Sequence, residues 1–269
     1  MGAAVVITGA SGGIGAACVS RLTQCGFTVL AAVRNDAQAS SLVSGAIPFY
    51  LDLSNPTAIK RAVDEIRSHG LPLEGLVNNA GVARAGAVED LSLDAFREVL
   101  EVNLFGPLQL TRLLLPELRA THGRIAIVGS GEGFFATPLN SAYCMAKHAL
   151  EALSASLRLE LRDSGVTVTV IAPGQTETKI LEQARAEFRD LEAKTSPPYR
   201  PLIAPRHRMA ERRGAPPERV ADAVVKTLTS RRPRARYFVG PDSRGAFLLG
   251  RIAPESVRRV VVKYLLGFS

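Results

Sequence analysis

The sequence predicts an α/β fold with a doubly wound, mainly parallel sheet of seven strands, followed by a C-terminal helical extension. Short apolar or β-branched runs alternate with longer amphipathic stretches, which is the order that strand–helix–strand units produce. Several runs, among them AAVVI and VTVTVI, are apolar throughout, as expected for parallel strands that helices cover on both faces. Right-handed crossovers between such strands generate a doubly wound sheet.

The individual elements follow from local patterns. Strands are predicted at residues 3–8, 28–33, 47–50, 75–78, 124–128, 166–172 and 236–239. Helices are predicted at residues 14–25, 56–69, 92–119, 141–163 and 217–229, and again from Pro254. The helix at 141–163 carries an apolar stripe at helical spacing that includes Ala146, Leu150 and Leu157. We expect one domain at residues 1–240 and the helical extension at residues 241–269.

Composition narrows the class of protein. The net charge of +8 is compatible with a nucleic acid, an anionic membrane surface or a polyphosphate ligand. The chain has no Trp, and its arginine clusters lack interleaved aromatic residues, so a nucleic-acid partner is not expected. Scattered cysteines and histidines predict neither disulfides nor a metal site. Because we find no leader peptide and no run of membrane-spanning length, we expect a cytoplasmic protein.

Two segments near the C-terminus depart from the strand–helix alternation. Residues 196–217 hold six of the sixteen prolines, which argues against regular helix there. They follow the sixth strand, so we expect a flexible substrate lid at about residues 180–217, with a surface linker as the alternative. From Pro254 a helix with an apolar stripe is expected to pack on the body, the alternatives being pocket cover or membrane contact. The stripe consists of Val257, Val260, Val261, Tyr264, Leu265 and Phe268.

A glycine-rich run follows the first predicted strand and opens the first predicted helix. It reads Thr8-Gly9-Ala10-Ser11-Gly12-Gly13-Ile14-Gly15. Glycine lets the backbone turn tightly and approach a pyrophosphate, whose charge meets the free N–H groups of the helix start. The run therefore predicts a dinucleotide site.

The tip of the second strand indicates which dinucleotide binds. An acid there would bind a ribose 2′-hydroxyl and repel a 2′-phosphate. The sequence has Ala31-Ala32-Val33-Arg34-Asn35, and the guanidinium of Arg34 offers several donors to a phosphate. We predict NADP(H) rather than NAD(H), with a solvated surface arginine as the alternative.

Three residues suggest acid–base chemistry. Tyr143 and Lys147 are four residues apart on a predicted helix and so project from one face. A nearby ammonium is expected to lower the pKa of a phenol toward the working range. Ser130 stands just after the fifth predicted strand, where its hydroxyl can bind a substrate oxygen as charge develops.

Taken together, these residues resemble the short-chain dehydrogenase/reductase family. The matching elements, in the family's order, are TGASGGIG, Asp52, NNAG at 78–81, Asn103 in NLFG, Ser130, the Tyr143/Lys147 pair and Pro173-Gly174. Ser130 precedes Tyr143 by 13 residues, the spacing usual in that family. The resemblance is strong over about residues 3–180 and weak beyond, and it implies a Rossmann fold.

The resemblance implies roles residue by residue. Tyr143 would exchange a proton with the substrate oxygen, Lys147 would tune Tyr143 and hold the nicotinamide ribose, Ser130 would polarise the substrate, and Asn103 would anchor a water relay. For Asn103 a buried structural amide is the alternative, and for Asp52, expected at the adenine, a helix cap. The expected cofactor-binding residues are Thr8, Gly9, Ser11, Gly13, Ile14, Gly15, Arg34, Asp52, Leu53, Asn79, Ala80, Gly81, Tyr143, Lys147, Pro173, Gly174, Thr176 and Thr178.

Within the family, AYCMAKHALEALSASLRLEL and the C-terminal extension resemble the hydroxysteroid/retinol dehydrogenase-like branch. This implies an NADP-dependent carbonyl reductase or alcohol dehydrogenase for a lipophilic, steroid-, retinoid- or polyketide-like substrate. Phe134, Phe135 and Leu139 are expected to line an apolar pocket, with core packing as the alternative. Helices 92–119 and 141–163 imply a homodimer or homotetramer. Rival hypotheses are a non-catalytic nucleotide sensor or scaffold and a membrane-surface lipid-binding protein.

Overall fold

The computed structural model describes residues 2–266, apart from a few side chains, those at positions 179, 262 and 264–266. Its seven strands form one sheet in the order β3-β2-β1-β4-β5-β6-β7, and every neighbouring pair is parallel. The strands are β1 Ala4–Ile7, β2 Thr28–Val33, β3 Ile47–Tyr50, β4 Leu73–Asn78, β5 Arg124–Val128, β6 Thr167–Pro173 and β7 Arg236–Val239. The predicted doubly wound α/β fold is confirmed.

Helices cover both faces of the sheet. They are α1 Gly13–Gln24, α2 Asp36–Ser40, α3 Pro56–Ser68, α4 Leu93–Leu100, α5 Gly106–Ala120, α6 Ser141–Glu160, α7 Lys179–Asp190, α8 Ile203–Glu211, α9 Glu218–Thr229, α10 Pro241–Arg251 and α11 Glu255–Leu266. On one face α1 and α9 pack through residues such as Leu22 and Val224, and on the other α3, α5 and α6 pack through residues such as Ile59 and Leu114. The predictions omitted α2, α7, α8 and α10.

The register of the central strands determines where a ligand can sit. Ile7 lies beside Ala31 of β2 and beside Val77 of β4, so the loops that leave these strands emerge at one edge. The strand order reverses at β1, between β2 and β4. In such sheets ligands bind outside the carboxyl ends of the strands at this reversal.

The continuous helix expected at residues 92–119 is interrupted. A π-helical segment, Glu101–Phe105, joins α4 to α5. At its end Gly106 lies so close to the loop after β3 that an added Cβ would be 2.3 Å from the carbonyl oxygen of Leu53. Long-range packing therefore determines the backbone conformation of this segment. The helical periodicity of the sequence does not reveal the extra residue that a π-helical turn contains.

The expectation that residues 196–217 contain no regular helix is wrong. The segment forms a 3₁₀ helix, Pro197–Leu202, followed by the regular helix α8. Pro205 lies in the first turn of α8, where a backbone N–H has no intrahelical acceptor to lose. Prolines at a helix start are compatible with a helix even in a proline-rich stretch.

The last two helices lie against the rest of the protein. Phe247 of α10 packs edge-on against Phe134, with ring centroids 5.2 Å apart. Helix α11 contacts α8, and Val261 faces the crevice described below, whereas Val257 and Val260 are exposed. Of the predicted stripe, Phe268 and the side chains of Tyr264 and Leu265 lie outside the described residues. Among residues 2–266, none of the helices has the length and apolarity needed to span a bilayer.

Candidate active site

A crevice of about 1530 Å³ opens at the carboxyl ends of the central strands. Except for Asn103, every residue predicted from the sequence to bind cofactor or act in catalysis lines it. These residues are Thr8, Gly9, Ser11, Gly13, Ile14, Gly15, Arg34, Asp52, Leu53, Asn79, Ala80, Gly81, Ser130, Tyr143, Lys147, Pro173, Gly174, Thr176 and Thr178. The volume exceeds the ~300–1,000 Å³ of a pocket for one small ligand, so a dinucleotide and a substrate can share it.

The glycine-rich loop has the geometry that a pyrophosphate requires. Gly9 adopts a φ of 66°, and a Cβ on Gly15 would lie 1.9 Å from the carbonyl oxygen of Gly9. Gly12, the N-cap residue of α1, has no side chain that could accept from the N–H groups of the first turn, so these groups are open to a ligand. Such groups at a helix start bind anions. The residues present therefore fit a dinucleotide.

Hydrogen bonds join this loop to the end of β4. The Thr8 hydroxyl accepts from the backbone N–H groups of Asn79, at 2.9 Å, and Ala80, at 3.0 Å. The side-chain amide of Asn79 donates in return to the carbonyl oxygens of Thr8 and Gly9. Thr8 and Asn79 thus shape the floor of the crevice.

At the adenosine end, the crevice is lined by the cations Arg34 and Arg61 and by the acids Asp52 and Glu65. Arg34 is exposed at the tip of β2, and its backbone N–H donates to Gln38. The only nearby acid in sequence, Asp36, accepts a hydrogen bond from the hydroxyl of Tyr50. Arg61 of α3 also lines this end. Arg61 was not predicted from the sequence, because the residues around a surface arginine on a helix do not indicate what it binds.

Asp52 lies in the crevice, and the alternative role considered for it, a helix cap, is wrong. Its carboxylate accepts from the backbone N–H and the hydroxyl of Ser54. Helix α3 is instead capped by Asn55, whose side chain accepts from the N–H groups of Thr57 and Ala58.

Tyr143, Lys147 and Ser130 meet in the middle of the crevice. The side chain of Ser130 lies beside the phenol of Tyr143 and acts to lower its pKa. The Lys147 ammonium donates to the carbonyl oxygen of Val128 at 2.9 Å and lies 5.4 Å from the centroid of the Tyr143 ring. A helix and the end of the neighbouring strand thus supply a hydroxyl pair with a cation beside it, which can move a proton to or from a bound oxygen.

The pKa of Tyr143 differs from the value range that the sequence predicted. Burial, and next the charge of Glu132, raise the pKa of Tyr143 above its ordinary value. Burial lowers the pKa of Lys147 to about 8. The expected lowering of the phenol pKa by Lys147 is therefore not found, because the ammonium is directed at the carbonyl of Val128 while a carboxylate and desolvation act on the phenol.

Asn103 is placed away from the crevice wall. It is buried in the π-helical segment, where its side chain accepts from the N–H of Val82 at 2.7 Å and donates to the Val82 carbonyl at 2.8 Å. Both polar atoms of the amide are used by the backbone. The water relay expected behind Lys147 has no support in these contacts, and the alternative of a buried structural amide describes them.

The substrate end has an apolar wall, although two of the residues predicted to form it are elsewhere. Phe135 lines the crevice, together with Phe188, Met209, Leu249 and Val261. Phe134 instead packs among Phe238 and Phe247, and Leu139 packs in a cluster that includes Phe188 and Ile203. The expected pocket role of Phe134 and Leu139 is thus wrong, because the segment between Ser130 and α6 directs Phe134 toward α10 and Leu139 toward α7 and α8.

Two charged residues that sequence reasoning missed face each other in this apolar region. Glu132 follows Ser130 by two positions, and its carboxylate accepts from Thr137 and from Asn140. Arg206 of α8 reaches the same carboxylate at 3.5 Å. Glu132 could have been noticed as a lone acid between Ser130 and Tyr143, whereas Arg206 is brought in only by the folding of a distant segment.

Helix α7 and the 3₁₀ segment that precedes α8 make polar contacts with the loop after β4. Glu187 of α7 accepts from the N–H of Ala85 at 3.0 Å. Asp90 accepts from the N–H of Ser196 at 2.9 Å, and the Tyr199 hydroxyl donates to Glu89 at 2.7 Å. The segment therefore covers the substrate end in this structure.

Comparison with known proteins agrees with this geometry. The family model for short chain dehydrogenases matches residues 3–188. The uncharacterized oxidoreductase YbbO of Escherichia coli K12 is 35% identical over 266 residues, which is 98% of this chain and 94% of that protein. A short-chain dehydrogenase from Streptomyces avermitilis has a similar structure, with a TM-score of 0.83, 26% identity and coverage of 98% of this chain and 97% of the other.

Two further solved structures contain a cofactor. One, from Burkholderia cenocepacia J2315, is in complex with NADP, with a TM-score of 0.78, 23% identity and 97% of each chain covered. The other, from Burkholderia phymatum, is in complex with NAD, with a TM-score of 0.79, 23% identity and 92% of each chain covered. At this identity they support the fold alone. The relatives support the resemblance predicted from the sequence, including the hydroxysteroid/retinol dehydrogenase-like branch. The chain belongs to the short-chain dehydrogenase family and is an oxidoreductase acting on CH–OH groups with a nicotinamide cofactor.

Proposed function

We propose that this protein is an NADP(H)-dependent carbonyl reductase or alcohol dehydrogenase for lipophilic substrates, with Tyr143 as its proton donor. The observation that carries the proposal is that Tyr143, Ser130 and Lys147 lie side by side in the nucleotide crevice. The residues suited to hold the cofactor are the glycine-rich loop, Asp52 and Leu53, the 79–81 turn, and the segment from Pro173 to Thr178.

When bound, the nicotinamide supplies a hydride to the carbonyl carbon or takes one from the alcohol carbon. In reduction, Tyr143 donates its proton to the carbonyl oxygen, so that hydride and proton together give the alcohol. Ser130 donates a hydrogen bond to the same oxygen and stabilises its developing charge. The raised pKa of Tyr143 keeps the phenol protonated at neutral pH, as a proton donor must be. Lys147, whose pKa is about 8, can return a proton to the phenolate. Asn103 supports the site by holding the backbone at Val82.

The preference for NADP(H) rests on charge at the adenosine end. Arg34 and Arg61 both line this end and can bind a 2′-phosphate. Asp36, the nearest acid to Arg34 in sequence, accepts a hydrogen bond from Tyr50 and is not among the residues that line the crevice. Solved relatives contain NADP in one case and NAD in another, so this chain's own residues carry the assignment.

The substrate and assembly proposals rest on exposed and crevice-facing apolar side chains. Phe135, Phe188 and Met209 favour a lipophilic compound beneath a lid at about residues 180–217. Phe105, at the end of the π-helical segment, and Met145, in α6, are large apolar side chains exposed to solvent. They lie in the two helical regions through which the family resemblance implies pairing, which favours a homodimer or homotetramer. We further propose that the extension at 241–269 makes peripheral membrane contact through its exposed apolar side chains, such as Val260. Liposome co-sedimentation that is unchanged without residues 254–269 would remove the extension from that role.

Turnover of NADPH with a panel of ketones and aldehydes tests the central proposal. We expect Tyr143→Phe to abolish turnover and to leave NADPH binding measurable. Tyr237→Phe, whose hydroxyl accepts from the N–H of Arg234 outside the crevice, is the matched control and should remain active. Tight NADPH binding without turnover of any carbonyl by the wild type would indicate the nucleotide sensor instead.

Cofactor titration tests the NADP(H) assignment. Arg34→Asp should weaken NADPH binding far more than NADH binding, because it replaces a phosphate ligand with a like charge. Arg232→Asp, an equal charge change at an exposed position outside the crevice, is the control. Equal losses of affinity for both cofactors in Arg34→Asp would refute the assignment.

A further inference from the structure

The substrate end of the crevice contains a buried cation that no step of the proposed reaction uses. Arg206 projects from α8 and lines the crevice, yet the residue is only 8% exposed. An arginine remains charged in any protein environment. A buried charge is costly unless it is paired and hydrogen-bonded, so the partners of this guanidinium indicate what the site is built to hold.

Within the described residues Arg206 has few partners. A guanidinium has five N–H donors, and the contact found for this one is from Nη2 to Glu132 at 3.5 Å, a long distance for a hydrogen bond. Its Nε is buried without an acceptor among those residues. The flat face lies 5.5 Å from the ring centroid of Phe188, a stacking that satisfies no N–H donor. The guanidinium is thus held in place but underpaired.

Glu132 does not depend on Arg206 for its own hydrogen bonds. Its two carboxylate oxygens accept from the Thr137 hydroxyl and from the Asn140 side chain, the latter at 2.8 Å. Both donors come from the residues just before α6 and act on Glu132 whether or not α8 covers the crevice. Of these two residues, Arg206 is therefore the one whose hydrogen-bond donors lack acceptors within the described part of the chain.

We propose that Arg206 binds a carboxylate of the substrate, so that the preferred substrates are oxo acids, or the matching hydroxy acids, with an apolar body. This inference rests on the proposed function and names the substrate class of the same site. A carboxylate offers two oxygens that match the guanidinium fork. The apolar wall formed by Phe135, Phe188 and Met209 receives the remainder of the molecule.

The position of Arg206 relative to the reacting oxygen supports this substrate. The N–H of Glu132 donates to the Ser130 hydroxyl at 3.1 Å, and Ser130 lies beside Tyr143. Arg206 touches the side chain of that same Glu132. Glu132 therefore contacts both the Ser130 hydroxyl and Arg206. A substrate whose carbonyl oxygen is bound by Ser130 and Tyr143 can place a nearby carboxylate against Arg206. The charge of Glu132 opposes this carboxylate, and its removal should strengthen acid binding.

The test compares each oxo acid with its own methyl ester, using acids that differ in the number of carbons between the carbonyl and the carboxylate. The wild type should prefer the best acid, measured as the ratio of kcat/KM for acid to ester. Arg206→Met should lower that ratio by ~10- to 100-fold, the range for hydrogen bonds to a charged group. Arg206→Lys should retain part of the preference, and Glu132→Gln should increase it. Arg208→Met, an exposed arginine on the same helix, is the matched control.

Several outcomes overturn the inference. An acid-to-ester ratio near one in the wild type, or one that Arg206→Met and Glu132→Gln leave unchanged, would mean that Arg206 serves only to hold α8 against Glu132. If Arg206→Met does not fold, the opposite shifts expected for Arg206→Lys and Glu132→Gln decide the matter. Calorimetric binding of acid and ester to the NADP⁺ complex gives the same comparison without turnover. Ester turnover without acid preference refutes this inference alone, whereas failure to reduce any carbonyl compound refutes the proposed function.

Discussion

Replacing Lys147 by methionine should stabilise the protein at neutral pH while removing its activity. Lys147 is 4% exposed, and burial lowers its pKa from an ordinary 10.5 to about 8. Between these values the unfolded chain binds more protons than the folded one, so this residue's contribution to stability rises with pH. Below pH 8 the folded protein carries the whole penalty of a buried ammonium.

The size of the effect follows from the two pKa values. Their difference corresponds to about 3 kcal/mol at pH 7 and about 2 kcal/mol at pH 9. Methionine removes this penalty but leaves the carbonyl of Val128 without its donor, which costs about 1 kcal/mol. Lys147→Met should therefore be more stable than the wild type by about 2 kcal/mol at pH 7.

Urea denaturation at pH 7 and pH 9 measures the prediction, with Lys60→Met, at an exposed lysine of α3, as the matched control. The gap between Lys147→Met and wild type should narrow by about 1 kcal/mol between the two pH values. Subtracting the wild type cancels the titration of Tyr143 and the buried cysteines. A variant that is less stable than wild type at pH 7, or a gap that widens with pH, would refute the reasoning.

Three further predictions test other parts of the structure. Arg236→Met removes the salt-bridge partner of Glu151, whose side chain is 2% exposed, and should lower the free energy of unfolding by about 3–5 kcal/mol; adding Glu151→Gln should restore most of it in denaturant titrations. Gly15→Ala places a methyl group 1.9 Å from a backbone carbonyl oxygen of the glycine-rich loop and should weaken NADPH binding at least ~tenfold in fluorescence titrations, so unchanged affinity would contradict the role of this loop. At pH 8 the exposed Cys25 should react first with a thiol reagent, because burial raises the pKa of Cys144 to about 11; equal labelling of both in mass spectra would contradict this.

Features set by a short stretch of chain were predictable from the sequence. The strands were found because buried parallel strands are continuously apolar over a few residues. The glycine-rich loop was found because Gly9 and Gly15 must permit a backbone approach that side chains would block. Tyr143 and Lys147 were placed together because one helix turn separates them. In each case neighbouring residues determine the geometry.

The features that the sequence did not reveal depend on contacts between distant segments. Phe134 and Phe135 are adjacent, yet one packs on α10 and the other lines the crevice. The cation that faces Glu132 comes from Arg206, 74 residues away along the chain. The pKa of Tyr143 is raised, whereas the sequence predicted that Lys147, its neighbour on the same helix, would lower it. Burial is the main cause of the increase.

The sequence by itself thus determined the fold, the nucleotide loop and the residues able to move a proton. These features follow from the backbone geometry of short segments and from the spacing of side chains along strands and helices. The tertiary structure alone decided which side chains surround the substrate and how strongly each group holds its proton. Those properties depend on burial and on charges contributed by separate elements, and both arise only when α7, α8 and α10 pack against the sheet.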